Sequence, residues 1–97
     1  MNALLIDNPT LADICKANDI AFLGVFGSYA RGEETPESDV DLLVRFAKGK
    51  SLLELVPIER ESSQRIGRRV DLVTEPSLSP HLRDRILKEV QPLYGQA

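Results

Sequence analysis

Two aspartates one residue apart, Asp39 and Asp41, stand ten residues beyond a Gly27-Ser28 pair. Side chains alternate across a strand, so carboxylates at i and i+2 project from one face. Two such charges side by side repel unless a cation lies between them. Upstream, an apolar run ends at Gly27-Ser28, a turn whose backbone N–H groups can meet phosphate. Gly27 leaves room for close approach, and Ser28 offers a hydroxyl and a cap for the turn that follows. Arg31, one helical turn further on, carries a guanidinium suited to the same phosphates. A phosphate cradle beside a hard-cation site suits attack on the α-phosphorus of a nucleoside triphosphate. Magnesium takes oxygen ligands, and two ions roughly 3.5–4 Å apart stabilise attacking and leaving oxygens. Asp71 offers a third carboxylate if its strand lies beside that of Asp39 and Asp41.

The elements that must position these residues follow from the pattern. Ile20 to Phe26 is a continuous apolar run, read as a strand buried on both faces. A short helical turn is expected from Ser28 to about Gly32, then a polar loop through Glu33, Glu34 and Glu37. In the next strand Val40, Leu42, Val44 and Phe46 form an apolar face, and Asp39, Asp41, Leu43 and Arg45 the other. A one-residue slip would drive both aspartates into the core. Val70-Asp71-Leu72-Val73 reads as a third strand.

Helices are expected around these strands. Thr10 is read as the N-cap of the first, with Asp13 supporting its first turn and Leu11, Ile14, Cys15 and Asn18 sharing a face. Ser51 to Glu54 fits a capping box for a helix running toward Ile66, with Gly67 as its stop. Pro57 must kink that helix or restart it with Pro57 in the first turn. Ser79-Pro80 opens the last helix, whose apolar stripe is Leu82, Ile86, Val90 and Leu93, with Pro92 ending or bending it. The reading is an α/β (α+β) chain, α-β-α-β-α-β-α, with a three-stranded mixed sheet flanked by helices.

Composition bounds the alternatives. The 97 residues, 42% hydrophobic, fit a single domain over 1–97. No stretch is long and apolar enough to span a membrane, and no signal peptide is visible. Cys15 is the sole cysteine, which fits a cytoplasmic location. A formal net charge of −3 argues against direct nucleic-acid binding.

Gly27-Ser28 with Asp39-Val40-Asp41 resembles the signature of the DNA polymerase β-like nucleotidyltransferase superfamily. Ala30-Arg31-Gly32 and Ser38-Asp39-Val40-Asp41-Leu42 narrow the likeness to the minimal nucleotidyltransferase (MNT) antitoxins of HEPN/MNT toxin–antitoxin pairs, from about Ile20 to Leu93. The resemblance implies a nucleotidyltransferase fold and transfer of AMP from ATP to a tyrosine hydroxyl of a HEPN-domain RNase toxin, which is thereby silenced. It implies that Asp39 and Asp41 bind both Mg²⁺ ions, and that Asp71 completes one site and helps deprotonate the acceptor. Gly27, Ser28 and Arg31 would hold the triphosphate. Larger antibiotic-modifying relatives carry a further domain that shapes the acceptor pocket, so the partner is expected to supply it here.

Blander readings stand beside these. Asp39 and Asp41 would form a solvated strand face, Asp71 would pair with Arg68 or Arg69, and Arg31 with Glu33 or Glu34. His81 is expected at the surface, Cys15 in the core, and Tyr94 packed against the domain. An antitoxin that only masks its toxin, with vestigial catalysis, is the alternative function. A transferase acting on a small molecule or an RNA end ranks behind both.

Overall fold

The computed structural model describes residues 9–47 and 54–95. In chain order its elements are α1 (Pro9–Ala17), β1 (Ile20–Phe26), α2 (Ser28–Arg31), β2 (Val40–Phe46), α3 (Leu55–Ile66), β3 (Val70–Thr74), α4 (Pro80–Glu89) and β4 (Gln91–Gly95). A 3₁₀ turn, Glu75–Ser77, links β3 to α4. The strands form one sheet in the order β3-β2-β1-β4. β1 pairs antiparallel with β2 and β4, whereas β2 and β3 run parallel.

β2 is built as its alternation predicts. Val40, Leu42 and Val44 are buried in the main core with Leu23 and Val25 of β1, Leu11, Ile14 and Cys15 of α1, and Ile58 and Ile66 of α3. Its opposite face carries Leu43 into a smaller cluster with Phe22 and Ile86 of α4. β1 serves both layers, and a register shift between Ile20 and Phe22 lets Ile20 join the main core out of parity. Burial pushes the Cys15 thiol up to about 11, so it is a packing group rather than a nucleophile.

Two helices depart from the sequence reading. The first helix already includes Pro9 and Thr10, so Thr10 is not its N-cap and Asp13 lies beyond the first turn. Proline's fixed φ suits the opening turn of a helix. The last helix ends at Glu89, and residues 91–95 form a fourth strand. Ile86 is the buried member of the expected stripe, Leu82 is exposed, and Leu93 belongs to β4. Pro92 fits there because an edge strand tolerates a missing N–H. Pro57 restarts rather than kinks α3: it stands in the first turn. The capping-box residues 51–53 lie outside the described residues. Gly67 ends α3 at φ 78°, as expected of the stop.

α3 does more than cover the core. β3 is an edge strand, and its outward N–H groups need partners. Val70 N–H donates to Ser63 Oγ at 2.9 Å, and Leu72 N–H donates to Glu59 Oε2 at 2.8 Å. Two helix side chains therefore brace the strand on either side of Asp71. Glu59→Leu would leave the Leu72 amide unpaired, at a cost of about 1–2 kcal/mol. Chemical denaturation should show that loss, and hydrogen exchange at Leu72 should accelerate.

Candidate active site

The sheet register brings the candidate carboxylates together. Asp41 and Asp71 are directly opposed across the parallel β2–β3 pair. On its other side Asp41 is opposite Phe26, the last residue of β1. Gly27 follows with φ 74° and ψ −151°, a conformation that favours glycine. A Cβ on Gly27 would overlap Asp41 Oδ2. The turn thus closes directly over the Asp41 carboxylate.

Gly27 is the N-cap of α2, and its carbonyl accepts the Ala30 and Arg31 amides, both at 3.1 Å. Ser28 is the first helical residue, so its hydroxyl does not cap the turn. Tyr29, 1% exposed, anchors this four-residue helix in the core. Gly32 ends α2 in the left-handed region, and the polar loop residues Glu33 and Glu37 are exposed.

A cleft of about 370 Å³ opens beside these groups, a size typical of small-molecule sites. Gly27, Arg31, Asp41 and Asp71 lie in its wall on the sheet side. Leu82, Arg85, Ile86 and Glu89 of α4 form the facing wall. Ser28 and Asp39 are not part of the lining. Asp39 precedes β2, and its carboxylate leans toward Arg69 Nε at 3.9 Å. Arg68 Nη1 donates to Pro36 O at 2.6 Å, so neither arginine pairs with Asp71.

The electrostatics converge on Asp41. Burial raises its pKa above the ordinary value of 3.8, and Asp71, Asp39 and Glu89 raise it further, while Arg31 opposes them. No three His, Cys, Asp or Glu side chains among the described residues form a ready metal cluster. The donor set nonetheless fits a hard cation: carboxylate oxygens with mutual repulsion at the wall of a cleft. Asp41 and Asp71 are the carboxylates placed to hold such an ion; Asp39, turned toward Arg69, stands outside the cleft lining.

Arg31 is paired as one bland reading anticipated, and more extensively. Its Nε lies 2.6 Å from Glu33 Oε1, and its Nη1 lies 3.0 Å from Glu89 Oε2. Glu89 and Arg85 escaped the sequence reading because an Arg and a Glu four apart on a helix look like a solvated face. The signal available was their shared helical face with Ile86. His81 is exposed as expected, and Tyr94 packs against the main core from β4.

Comparison with known proteins identifies the family and the fold. The sequence profile of the nucleotidyltransferase domain matches residues 9–93. The protein adenylyltransferase MntA of Thermococcus cleftensis is 46% identical over 68 residues, covering 70% of this chain and 69% of that protein. A Methanocaldococcus jannaschii protein, provisionally named a protein adenylyltransferase, is 51% identical over 65 residues, covering 67% and 70%. A solved structure described as a candidate minimal nucleotidyltransferase superposes with a TM-score of 0.77 at 39% identity, over 88% of this chain and 87% of that one. A chain from the complex of tri-AMPylated Shewanella oneidensis HEPN toxin with MNT antitoxin superposes with a TM-score of 0.72. At 19% identity over 96% of this chain and 73% of that one, this is a likeness of fold.

Two substitutions test the geometry. Gly27→Ala should cost about 1–3 kcal/mol, because φ 74° with ψ −151° is a conformation open essentially to glycine alone, and push the Asp41 carboxylate aside. It should lower nucleotidyl transfer at least about 100-fold, measured with labelled ATP on folded protein. Asp41→Asn should stabilise the metal-free chain. A carboxyl whose folded pKa is raised binds its proton more tightly when folded, so stability falls as pH climbs from the ordinary value through the folded one. At pH 7 in EDTA the variant should melt above the wild type, and the gap should close as pH falls below the ordinary carboxylate value. Magnesium chloride should raise the wild-type melting temperature and leave the variant's unchanged.

Proposed function

The chain belongs to the nucleotidyltransferase-domain family, and from that premise we propose that it is an MNT antitoxin that transfers AMP from ATP to a tyrosine hydroxyl of a cognate HEPN-domain RNase toxin in a Mg²⁺-dependent reaction. The observation that carries the reading is the Asp41–Asp71 pairing beneath the Gly27 turn. The relatives named protein adenylyltransferase support the AMP transfer. The fold likeness to a chain of the complex of tri-AMPylated HEPN toxin with MNT antitoxin supports the partner.

In this scheme the Gly27 turn and Arg31 seat the triphosphate, with its α-phosphorus near Asp41. When bound, Mg²⁺ supplies polarisation of the α-phosphate and charge stabilisation of the departing pyrophosphate. The tyrosine oxygen attacks the α-phosphorus in line. The bond to the bridging oxygen breaks, and pyrophosphate leaves with its electron pair. Asp71, half-buried and opposed to Asp41, receives the phenolic proton. The cleft is open enough to admit a side chain presented by another protein, which fits a macromolecular acceptor.

The test is to incubate the chain with the product of the neighbouring gene and labelled ATP. Label should reach a tyrosine of the partner, and its intact mass should rise by AMP units. Asp39→Ala with Asp41→Ala should cut transfer at least about 100-fold. Unchanged transfer would remove the catalytic assignment. A double variant that still neutralises the partner at equal expression would favour masking instead.

A further inference from the structure

We infer that Glu89 is a positioning residue of the nucleotide site, holding the Gly27 turn and the Arg31 guanidinium in the arrangement that receives the triphosphate. The inference rests on the ATP-dependent reading above and assigns a role to a residue outside the Gly-Ser and aspartate motifs. Glu89 Oε1 accepts from the Gly27 amide at 3.2 Å and from Arg31 Nη1 at 3.2 Å, and Oε2 accepts from the same Nη1 at 3.0 Å. One carboxylate therefore ties the backbone of the turn to the side chain that projects from it.

Arg31 needs such a tie. It stands on a single helical turn, and its side chain is long and half exposed. A guanidinium offers five donors in a fixed planar fork. Glu33 takes Nε and Glu89 takes Nη1, so the plane is set from two sides. Among the described residues no contact occupies Nη2, which leaves that edge for a phosphate oxygen. The Gly27 amide has one hydrogen, and Glu89 holds it, so Gly27 serves the site through the shape of its turn.

A second tie comes from the same corner of the fold. Gln91 Nε2 donates to Ala30 O at 3.0 Å. Glu89 ends α4 and Gln91 begins β4, with Val90 between them as the helix C-cap. The α4–β4 corner thus grips α2 at two points, on the backbone and on Arg31. A carboxylate that merely competed with phosphate for these donors would weaken ATP binding. A positioning carboxylate strengthens it, so the two roles predict opposite signs.

The experiment measures MgATP affinity by calorimetry and transfer kinetics on the partner for the full chain, with melting curves to establish folding. Glu89→Gln should raise Kd and KM for ATP about tenfold, the scale of one lost charge-assisted hydrogen bond, with kcat falling less than about threefold. Arg31→Ala should weaken binding at least as much, and adding Glu89→Gln to it should change affinity by less than about twofold, because glutamine keeps an acceptor oxygen for the Gly27 amide and the lost charge acts through Arg31. That comparison also decides the matter if Glu89→Gln alone does not fold, since the double variant leaves no unpaired partner. Unchanged or tighter ATP binding by Glu89→Gln, or a further loss in the double variant, would overturn the inference. Wild-type protein that binds no MgATP would overturn the nucleotide reading and this inference with it.

Discussion

Val40, Leu42 and Val44 of β2 are 0%, 0% and 1% exposed, and that burial fixes which way Asp41 can point. A strand with one face locked in the core has no alternative register, because a slip would drive a carboxylate into that core and pull its aliphatic side chains out. The parallel pairing with β3 then carries the constraint across the sheet, setting Asp71 level with Asp41. Antiparallel pairing with β1 carries it the other way, bringing Phe26 opposite Asp41 and the Gly27 turn immediately above it. One hydrophobic face thereby determines three components of the site.

The arrangement holds like charges near one another, and the surrounding structure resists their separation. α3 braces β3 through Ser63 and Glu59 on either side of Asp71. Arg31 moderates the field at Asp41, but burial and the neighbouring carboxylates outweigh it. Such frustration destabilises the unliganded chain, and on the proposed reading cations and a polyphosphate would relieve it.

Much of this was legible in the residues themselves. β2 declared its register through strict alternation, and the glycine at the end of an apolar run declared the turn. β3 was visible from its short Val-Asp-Leu-Val pattern, although pairing with β2 requires the structure. β4 was not visible because Val90 and Leu93 continue the helical spacing of Ile86, and Pro92 reads as a helix breaker as readily as an edge-strand residue. The missed site residue, Glu89, has partners 58 and 62 positions away, beyond any local pattern. Arg85 was missed for a related reason: its cleft exposure depends on where α4 crosses the sheet. Local periodicity therefore reported the strand side of the cleft and was silent on the helix side.

The antiparallel course of β4 gives the sheet a polarity with practical weight. Gln91 lies beside Val25, close to the carboxylates, whereas Gly95 lies beside Phe22. Phe22 and the end of β1 at Phe26 are four strand steps apart, about 13 Å. A tether joined after Gly95 would leave from the end of the sheet remote from the cleft. The molecule could then be anchored to a sensor surface, or fused to a reporter, with the cleft turned outward.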